Sequence, residues 1–307
     1  MKLYKLLIVC LIYLLTVSYK YDKSITTPVK LEISKNNSLY VQQNQTIVSA
    51  LFCANGHAGE ISQFYQYGWK GIGLYSDLDQ GTECKANWKE AKNKYSPIYA
   101  LIWRGYSEEG PHKNILEIKK LINSVKINGG SWIYFDDLLT LQVTDVHPEA
   151  PITKETIDEV CNYAHSQSLL VAASESYYQT FDTYNGHINY LEKYWSLYEN
   201  IDFIMPYGYT NTIPELTNFY NYLLNKGKKI VPILGYNVDF GGNNRSFQLG
   251  AYSGDTGFIE NAMQYAYNSM VFYYFEGNIT EAYLLTNNLQ TNNYITGTSI
   301  PNNLLSK

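Results

Sequence analysis

The stretch WIYFDD (132–137) passes from four apolar residues directly into two aspartates. Seven other stretches follow the same pattern, in which a short apolar run ends in or next to a polar or ionisable residue. They are IVSALFC (47–53), GIGLYSD (71–77), PIYALIWR (97–104), LLVAASE (169–175), IDFIMPYGY (201–209), KIVPILGYN (229–237) and MVFYYFE (270–276). Runs that are apolar throughout are typical of strands buried on both faces, which helical crossovers make possible. The sequence therefore predicts parallel strands that alternate with helices.

Helix signals fall between these runs. Residues 114–127 and 153–166 carry apolar side chains at helical spacing, and Pro214 stands at the start of a third helical stretch. Eight strand–helix units within about 250 residues predict an α/β fold, a single (β/α)8 TIM barrel, which we assign to residues 46–290. A doubly wound open sheet is the rival architecture. The number of units, and the lack of a Gly-rich phosphate loop after the first strand, argue against it.

Composition limits the class of protein. The chain has 307 residues, of which 45% are hydrophobic and 17% are charged, and its net charge is −5. A chain of this length and composition can bury one large core. The sequence contains no basic block, so nucleic acid is not expected as a partner. Tyrosine is unusually frequent, with 31 copies. Tyrosine suits sugar-stacking clefts. The excess also fits a compositional bias of proteins exposed to hot or acidic surroundings, in which Tyr, Asn and Thr replace surface Lys and Glu.

The N-terminus predicts export. A cationic MKLYK precedes the apolar LLIVCLIYLLTV, so we assign residues 1–18 to a signal peptide or an uncleaved anchor. Residues 19–45 are a polar linker or arm, and residues 291–307 are a tail expected to lie loosely on the surface. The chain is predicted to be secreted or at the cell surface, without membrane contact unless the first segment is retained. The Asn-x-Ser/Thr triplets that fit a glycoprotein begin at Asn36, Asn44, Asn244 and Asn278.

The cysteines suggest one disulfide bond. Cys53 ends the first strand and Cys84 follows the second, so both should lie at the same rim and pair there. Cys161 is then left buried and unpaired in a helix. Three unpaired thiols are the alternative.

Acidic residues collect where the strands end, which in a barrel of this kind is the rim that carries chemistry. Asp136 and Asp137 directly follow an apolar strand, and one helix cap would need only one of them. Alternation sends one of the two into the barrel mouth, and the sequence does not say which. With Glu175, they are the candidate catalytic carboxylates. The candidate substrate-binding residues at the same ends are Asp77, Trp103, Arg104, Tyr207, Tyr209, Asp239 and Glu276.

The pattern of these residues favours sugar chemistry. The five histidines lack the close spacing of metal ligands, and no GxSxG elbow is present, so we expect neither a metal nor a cofactor. Glycoside hydrolysis needs two carboxyl groups about the scissile bond, and aromatic faces hold the sugar rings. The expected partner is a carbohydrate polymer or glycan, cleaved by carboxylate acid/base chemistry. A capping or ion-pairing role remains the alternative for each acid.

One segment resembles a known family. IDFIMPYGY (201–209) resembles strand 6 of the chitinase-like family 18 glycoside hydrolases, and related secreted TIM-barrel glycosidases resemble the chain over strands 4 to 8. The resemblance implies that the Tyr207 hydroxyl contacts the reacting acetamido group. The family's strand 4 carries DxxDxDxE, whereas this chain has SWIYFDDLL (131–139), so that Leu138 takes the place of the acid if Asp136 matches the last aspartate. That departure motivates an alternative, a non-catalytic carbohydrate-binding or cell-surface protein on a glycosidase scaffold.

Overall fold

The computed structural model describes residues 47–50, 60–75, 82–103, 115–136, 138, 153–177, 190–208, 211–236, 256–275 and 279–305. The chain divides into two units, Met1–Gln42 and Gln43–Lys307, and all of the described residues belong to the second. The predicted signal segment and polar arm therefore lie outside them. Among the described helices, none is both long and apolar enough to cross a membrane.

The strands follow the apolar runs of the sequence. They are β1 (Ile47–Ala50), β2 (Gly71–Tyr75), β3 (Ile98–Trp103), β4 (Trp132–Phe135), β5 (Leu170–Ser176), β6 (Phe203–Tyr207), β7 (Lys229–Ile230), β8 (Ile233–Tyr236) and β9 (Val271–Phe275). The single run predicted at 229–237 is thus divided into β7 and β8, and β6 pairs with both. Pro232 lies in the gap between them, and proline has no N–H to give to a strand ladder.

The strand pairings, all parallel, run in a ring. β1 pairs with β2 on one side and with β9 on the other. From β2 the pairings pass through β3 and β4 to β5, and β5 also pairs with β6. β8 then joins β6 to β9. The described residues therefore form an α/β barrel-like fold.

A helix lies between each pair of successive strands except β7 and β8, and a last helix follows β9. They are α1 (Ile61–Gln66), α2 (Thr82–Ala91), α3 (Ile115–Ile127), α4 (Lys154–Ser166), α5 (Tyr190–Lys193), α6 (Ile213–Asn225), α7 (Thr256–Tyr265) and α8 (Ile279–Thr291). Short 3-10 turns follow at Trp195–Tyr198, Tyr267–Ser269 and Asn302–Leu304. Each long helix buries one stripe, as α4 does with Ile157, Val160, Cys161 and Ala164. Parallel strands require such crossovers, so the helices are what allow the strands to be apolar on both faces.

Aromatic rings from strands that are not neighbours meet inside the ring of strands. The ring of Tyr99 on β3 lies 5.3 Å from that of Phe272 on β9. Trp132 on β4 stacks on Phe203 of β6 at 4.1 Å, although β5 lies between these two strands. These side chains therefore point inward. Because side chains alternate along a strand, they also set which other residues of each strand face the interior.

The C-terminal segment is packed more tightly than the sequence suggests. Tyr294, Ile295 and Ile300 are buried, and the Thr298 N–H donates to the Gln66 carbonyl at the end of α1 (2.8 Å). The expectation that this tail lies loosely on the surface is wrong for its described part, because three apolar side chains and a backbone hydrogen bond hold it. The prediction rested on the many Asn and Thr residues of the tail and gave no weight to those three apolar residues.

Cys161 is buried and unpaired in α4, as the sequence predicted. Burial raises the pKa of its thiol to about 12, and the nearby Asp158 and Asp202 carboxylates act in the same direction. The thiol is therefore inert at neutral pH. Cys53 and the side chain of Cys84 lie outside the described residues, so their disulfide stays a prediction.

Candidate active site

The inner face of β4 leads to Asp136. Trp132 points inward, so alternation places Tyr134 and then Asp136 on the same face, with Asp136 just past the carboxyl end of the strand. Trp132 and Tyr134 are buried, whereas Asp136 is partly exposed. The aspartate therefore lies where the packed interior gives way to solvent.

Two hydroxyl groups hold the Asp136 carboxylate. The Tyr134 hydroxyl donates to Oδ1 at 2.7 Å, and the Ser174 hydroxyl donates to the same oxygen at 2.9 Å. Tyr134 is the inner residue one step below on the same strand, and Ser174 comes from the neighbouring β5. Hydrogen bonds donated to a carboxylate are shorter and stronger than those between neutral groups. The Asp136 side chain is therefore fixed in its position at the mouth.

The same rim receives side chains from β5 and β6. Ala172 is level with the inward Phe203, and the register continues with Ser174 beside Met205 and Ser176 beside Tyr207. Paired residues of neighbouring parallel strands face the same side of the sheet. Tyr207 is partly exposed, whereas Met205 is fully buried. The structure thus brings Asp136 and Tyr207 to one face of the sheet at one end of the strands.

Glu175 faces the other way. Its neighbour Ser174 points inward, so alternation turns Glu175 toward the surrounding helices. There its Oε1 accepts a hydrogen bond from the Tyr198 hydroxyl, and the whole residue is buried. Tyr177, which has the same orientation, places its ring 6.0 Å from Phe219 of α6. The predicted pairing of Glu175 with an aspartate across the mouth is therefore wrong, because the two carboxyl groups lie on opposite faces of the sheet.

The interior beneath the mouth is lined by buried aromatic side chains. Tyr99 lies inside the ring of strands, fully buried, and its hydroxyl has no hydrogen-bond partner among the described residues. Burial raises the pKa of Tyr99 far above its ordinary value. Electrostatic interactions at a given distance are stronger in such surroundings than in water. Asp136 therefore stands between solvent above and a low-dielectric aromatic floor below.

Most of the other predicted site residues cannot be placed. Asp77, Arg104, Asp137, Tyr209, Asp239 and Glu276 lie outside the described residues, and for Trp103 only the backbone at the end of β3 is described. Leu138 is described and is fully buried. If Asp136 matches the last aspartate of the resembled motif, Leu138 offers no carboxyl group at the position of that family's acid.

Two residues of the site were missed in the sequence. Tyr134 and Ser174 both donate to Asp136, yet neither was singled out. Tyr134 could have been found, since it stands two residues before Asp136 and must share its face. Ser174 depends on the register between β4 and β5, which the sequence does not contain.

Comparisons with known proteins support the fold. No family model matches the sequence, and the search of curated proteins finds no match. The chain is similar to the spore cortex-lytic enzyme SleL of Bacillus megaterium QM B1551, with a TM-score of 0.50 and 11% identity over 84% of this chain and 76% of that one. It is also similar to the carboxyl transferase domain of Rhizobium etli pyruvate carboxylase, with a TM-score of 0.51 and 7% identity over 85% of this chain and 46% of that one. Identities this low show an α/β barrel-like fold alone, and the family 18 resemblance stays a prediction.

Proposed function

We propose that this chain is an exported (β/α)8 barrel of the glycoside hydrolase type, which cleaves a polysaccharide or glycan at the carboxyl ends of its strands. The observation that carries the proposal is the placement of Asp136. It is partly exposed at the mouth, its Oδ1 accepts hydrogen bonds from two hydroxyl groups, and Tyr207 shares its face of the sheet. In barrels of this kind, residues at the carboxyl ends of strands perform the chemistry.

The chemistry assigned to Asp136 follows from its surroundings. The Tyr134 and Ser174 hydroxyls donate to it and so stabilise a carboxylate. Such a group suits the nucleophile, the base or the stabiliser of positive charge at the anomeric carbon. The acid that protonates the leaving oxygen must then be a second carboxyl group at the same rim. Asp77, Asp239 and Glu276 are the candidates that the sequence offers for it, because alternation gives the mouth only one of Asp136 and Asp137.

Aromatic side chains at the rim would hold the sugar. Tyr207 presents a ring and a hydroxyl on the face that carries Asp136, and we assign it to substrate binding with Tyr209 and Trp103. The similarity to a spore cortex-lytic enzyme agrees with a glycan polymer as substrate. The predicted N-terminal signal would deliver the protein to it.

The identity of residue 138 favours a second function, glycan binding without catalysis. Leu138 is fully buried, and it takes the place of the resembled family's catalytic acid if Asp136 matches the last aspartate of that motif. This favours a non-catalytic protein that binds a glycan on the same scaffold. Both functions place the ligand at the same mouth, so a single set of variants can separate them.

The test replaces Asp136 by asparagine, which keeps the size of the side chain and removes its charge. The purified chain and its Asp136→Asn variant are incubated with a panel of polysaccharides, and released sugar ends are quantified. If Asp136 is the nucleophile or base, turnover should fall at least about 100-fold. Glycan-array binding should persist, because the other contacts at the mouth remain.

The matched control is Glu159→Gln, which removes one carboxylate charge from the surface of α4. Glu159 is 51% exposed on its side chain and pairs with Lys119 at 2.7 Å, away from the strands. Turnover should stay at the wild-type level in this variant. Wild-type turnover in Asp136→Asn would overturn the catalytic assignment. Glycan binding without released product in the wild type would instead establish the binding function.

A further inference from the structure

We infer that Glu175 is a positioning residue, which acts on the mouth through its neighbour Ser174 rather than on the substrate. Glu175 and Ser174 are consecutive on β5 but face opposite sides of the sheet. One is bonded to the helical layer outside and the other to Asp136 inside. The inference rests on the proposed function only in giving Asp136 its role.

The outer anchor is the hydroxyl of Tyr198, which donates to Glu175 Oε1. A buried carboxyl group without such a partner would be strongly destabilising. The bond therefore ties the carboxyl end of β5 to the 3-10 turn Trp195–Tyr198. The register places Glu175 beside Pro206 of β6, which has no N–H to contribute a ladder bond at that level. The hydrogen bond from Tyr198 to Glu175 thus holds β5 at a level where β6 contributes one backbone hydrogen bond fewer.

Tyr198 is itself held rigidly. Its ring stacks on Trp195, with centroids 5.6 Å apart. Its carbonyl oxygen accepts hydrogen bonds from Lys228 Nζ and from the Ile201 N–H. Lys228 Nζ also donates to the carbonyl oxygen of Ile201 at 2.8 Å. The hydroxyl that Glu175 accepts from is therefore fixed by contacts on both sides of the turn.

The inner end of the connection is the hydrogen bond from Ser174 to Asp136. Its length of 2.9 Å leaves little tolerance, because a displacement of β5 by 1 Å would break it. Ser174 can move only with its strand, since its side chain has a single rotatable bond before the hydroxyl. Loss of the outer anchor therefore removes one of the two hydrogen bonds that hold the Asp136 carboxylate and leaves it to the Tyr134 hydroxyl alone, so the carboxylate can move. A displacement of this size at a catalytic group can lower the rate by about 100-fold.

The deciding variant is Tyr198→Phe, which removes one buried hydroxyl and keeps the stacked ring. Its matched control is Tyr220→Phe. Tyr220 is also fully buried in the outer layer, on α6, but its hydroxyl has no hydrogen-bond partner among the described residues. In crystal structures of both variants, the distance from Ser174 Oγ to Asp136 Oδ1 should exceed about 3.5 Å only in Tyr198→Phe. A distance unchanged from 2.9 Å in Tyr198→Phe would overturn the inference.

Kinetics separate positioning from simple destabilisation. Tyr198→Phe should lower kcat by about 10- to 100-fold and change KM by less than about threefold. Thr286→Val removes the buried acceptor of the Trp69 indole N–H and should leave kcat unchanged despite its loss of stability. Glu175→Gln keeps an oxygen that can accept from Tyr198, so it should restore most of the kcat that Glu175→Ala loses. Complete loss in Glu175→Gln with Asp136 undisplaced would make Glu175 catalytic and overturn the inference.

The two readouts distinguish failure of the inference from failure of the proposed function. If the wild-type chain acts on no glycan, the proposed function fails, while the crystallographic distance still tests whether Glu175 positions Asp136. If the wild type is active and Tyr198→Phe is indistinguishable from it in both kcat and geometry, the positioning role alone is refuted.

Discussion

Gly130 lies between the end of α3 and the start of β4, where it leaves no room for a side chain. A methyl group on it would lie 2.3 Å from Val125 Cγ1 and 3.2 Å from Trp88 Cη2. Both neighbours are fully buried and cannot easily withdraw. Gly130→Ala is therefore expected to lower the free energy of unfolding by about 1–3 kcal/mol, measured by urea denaturation.

Gly227→Ala is the control for this steric prediction. Gly227 has φ +80°, but no atom lies within 4 Å of an added methyl group, so only the left-handed backbone is penalised, by about 1–2 kcal/mol. Val125→Ala removes the atom that an added methyl group on Gly130 would meet first. The double variant Gly130→Ala/Val125→Ala should therefore lose less stability than the sum of the losses in the two single variants. Strict additivity would mean that Val125 does not cause the clash.

Single residues also show where sequence reasoning about the site stops. The acids at the strand ends could be recognised, because charged side chains next to buried strands are rare. Their facing could not, since a strand buried on both faces is apolar at every position and carries no alternation to set its phase. Asp136 is inward because Trp132 stacks on Phe203, and Glu175 is outward because Ser174 bonds to Asp136. Both facts come from contacts between strands.

Among the elements, α6 begins with a capping box of Thr212 and Glu215, whose contribution to stability should depend on pH. The Glu215 carboxylate, in its first turn, accepts from the Thr212 N–H at 2.7 Å and from the Thr212 hydroxyl at 2.9 Å. The backbone hydrogen bond is the main reason why the pKa of Glu215 is lowered from its ordinary value of 4.5. Glu215→Ala is therefore expected to cost about 1 kcal/mol of unfolding free energy at neutral pH.

The sign of the pH dependence follows from the lowered pKa. The folded state binds the proton less tightly than the unfolded state, so the stabilisation is fully present above the unfolded value and is lost as the pH falls through the folded one. The difference between wild type and Glu215→Ala should shrink between pH 7 and about pH 3 in urea denaturation. Glu159→Gln, a surface change, should differ from wild type by less than about 0.5 kcal/mol at neutral pH. A Glu215 difference that grows on acidification contradicts the assignment.

Elements with strong local signals were predicted well. The helix expected at 153–166 is observed as Lys154–Ser166, with Thr153 as its N-cap. The helical stretch expected to start at Pro214 begins one residue earlier and is observed as Ile213–Asn225. The break between β7 and β8 was not predicted, because the run KIVPILGYN is apolar on both sides of its proline. The point at which the hydrogen-bond ladder between this run and β6 is interrupted depends on the pairing with β6, which the run itself does not reveal.

At the scale of the whole molecule, the last strand–helix unit closes onto the first. The Trp69 indole N–H donates to Thr286 of α8 at 2.9 Å, and the ring of Phe64 on α1 stacks on Tyr283 at 5.2 Å. Gln290 donates to the Tyr67 carbonyl at 2.8 Å. These partners are more than 200 residues apart in sequence. The count of strand–helix units predicted that the last unit meets the first, but not which side chains join them.

Gly297 provides the test of this closure, because the tail crosses the end of α1 backbone to backbone. A methyl group on Gly297 would lie 2.3 Å from the Tyr67 carbonyl carbon and 2.5 Å from the Gln66 oxygen. Neither atom can yield, so Gly297→Ala should lift the tail and expose Ile295 and Ile300. The expected loss is on the order of 3 kcal/mol, with faster hydrogen exchange at the Thr298 amide. Ser299→Ala, at an exposed position of the same segment, should change neither quantity. Wild-type protection of the Thr298 amide in Gly297→Ala would show that the crossing is not what holds the tail.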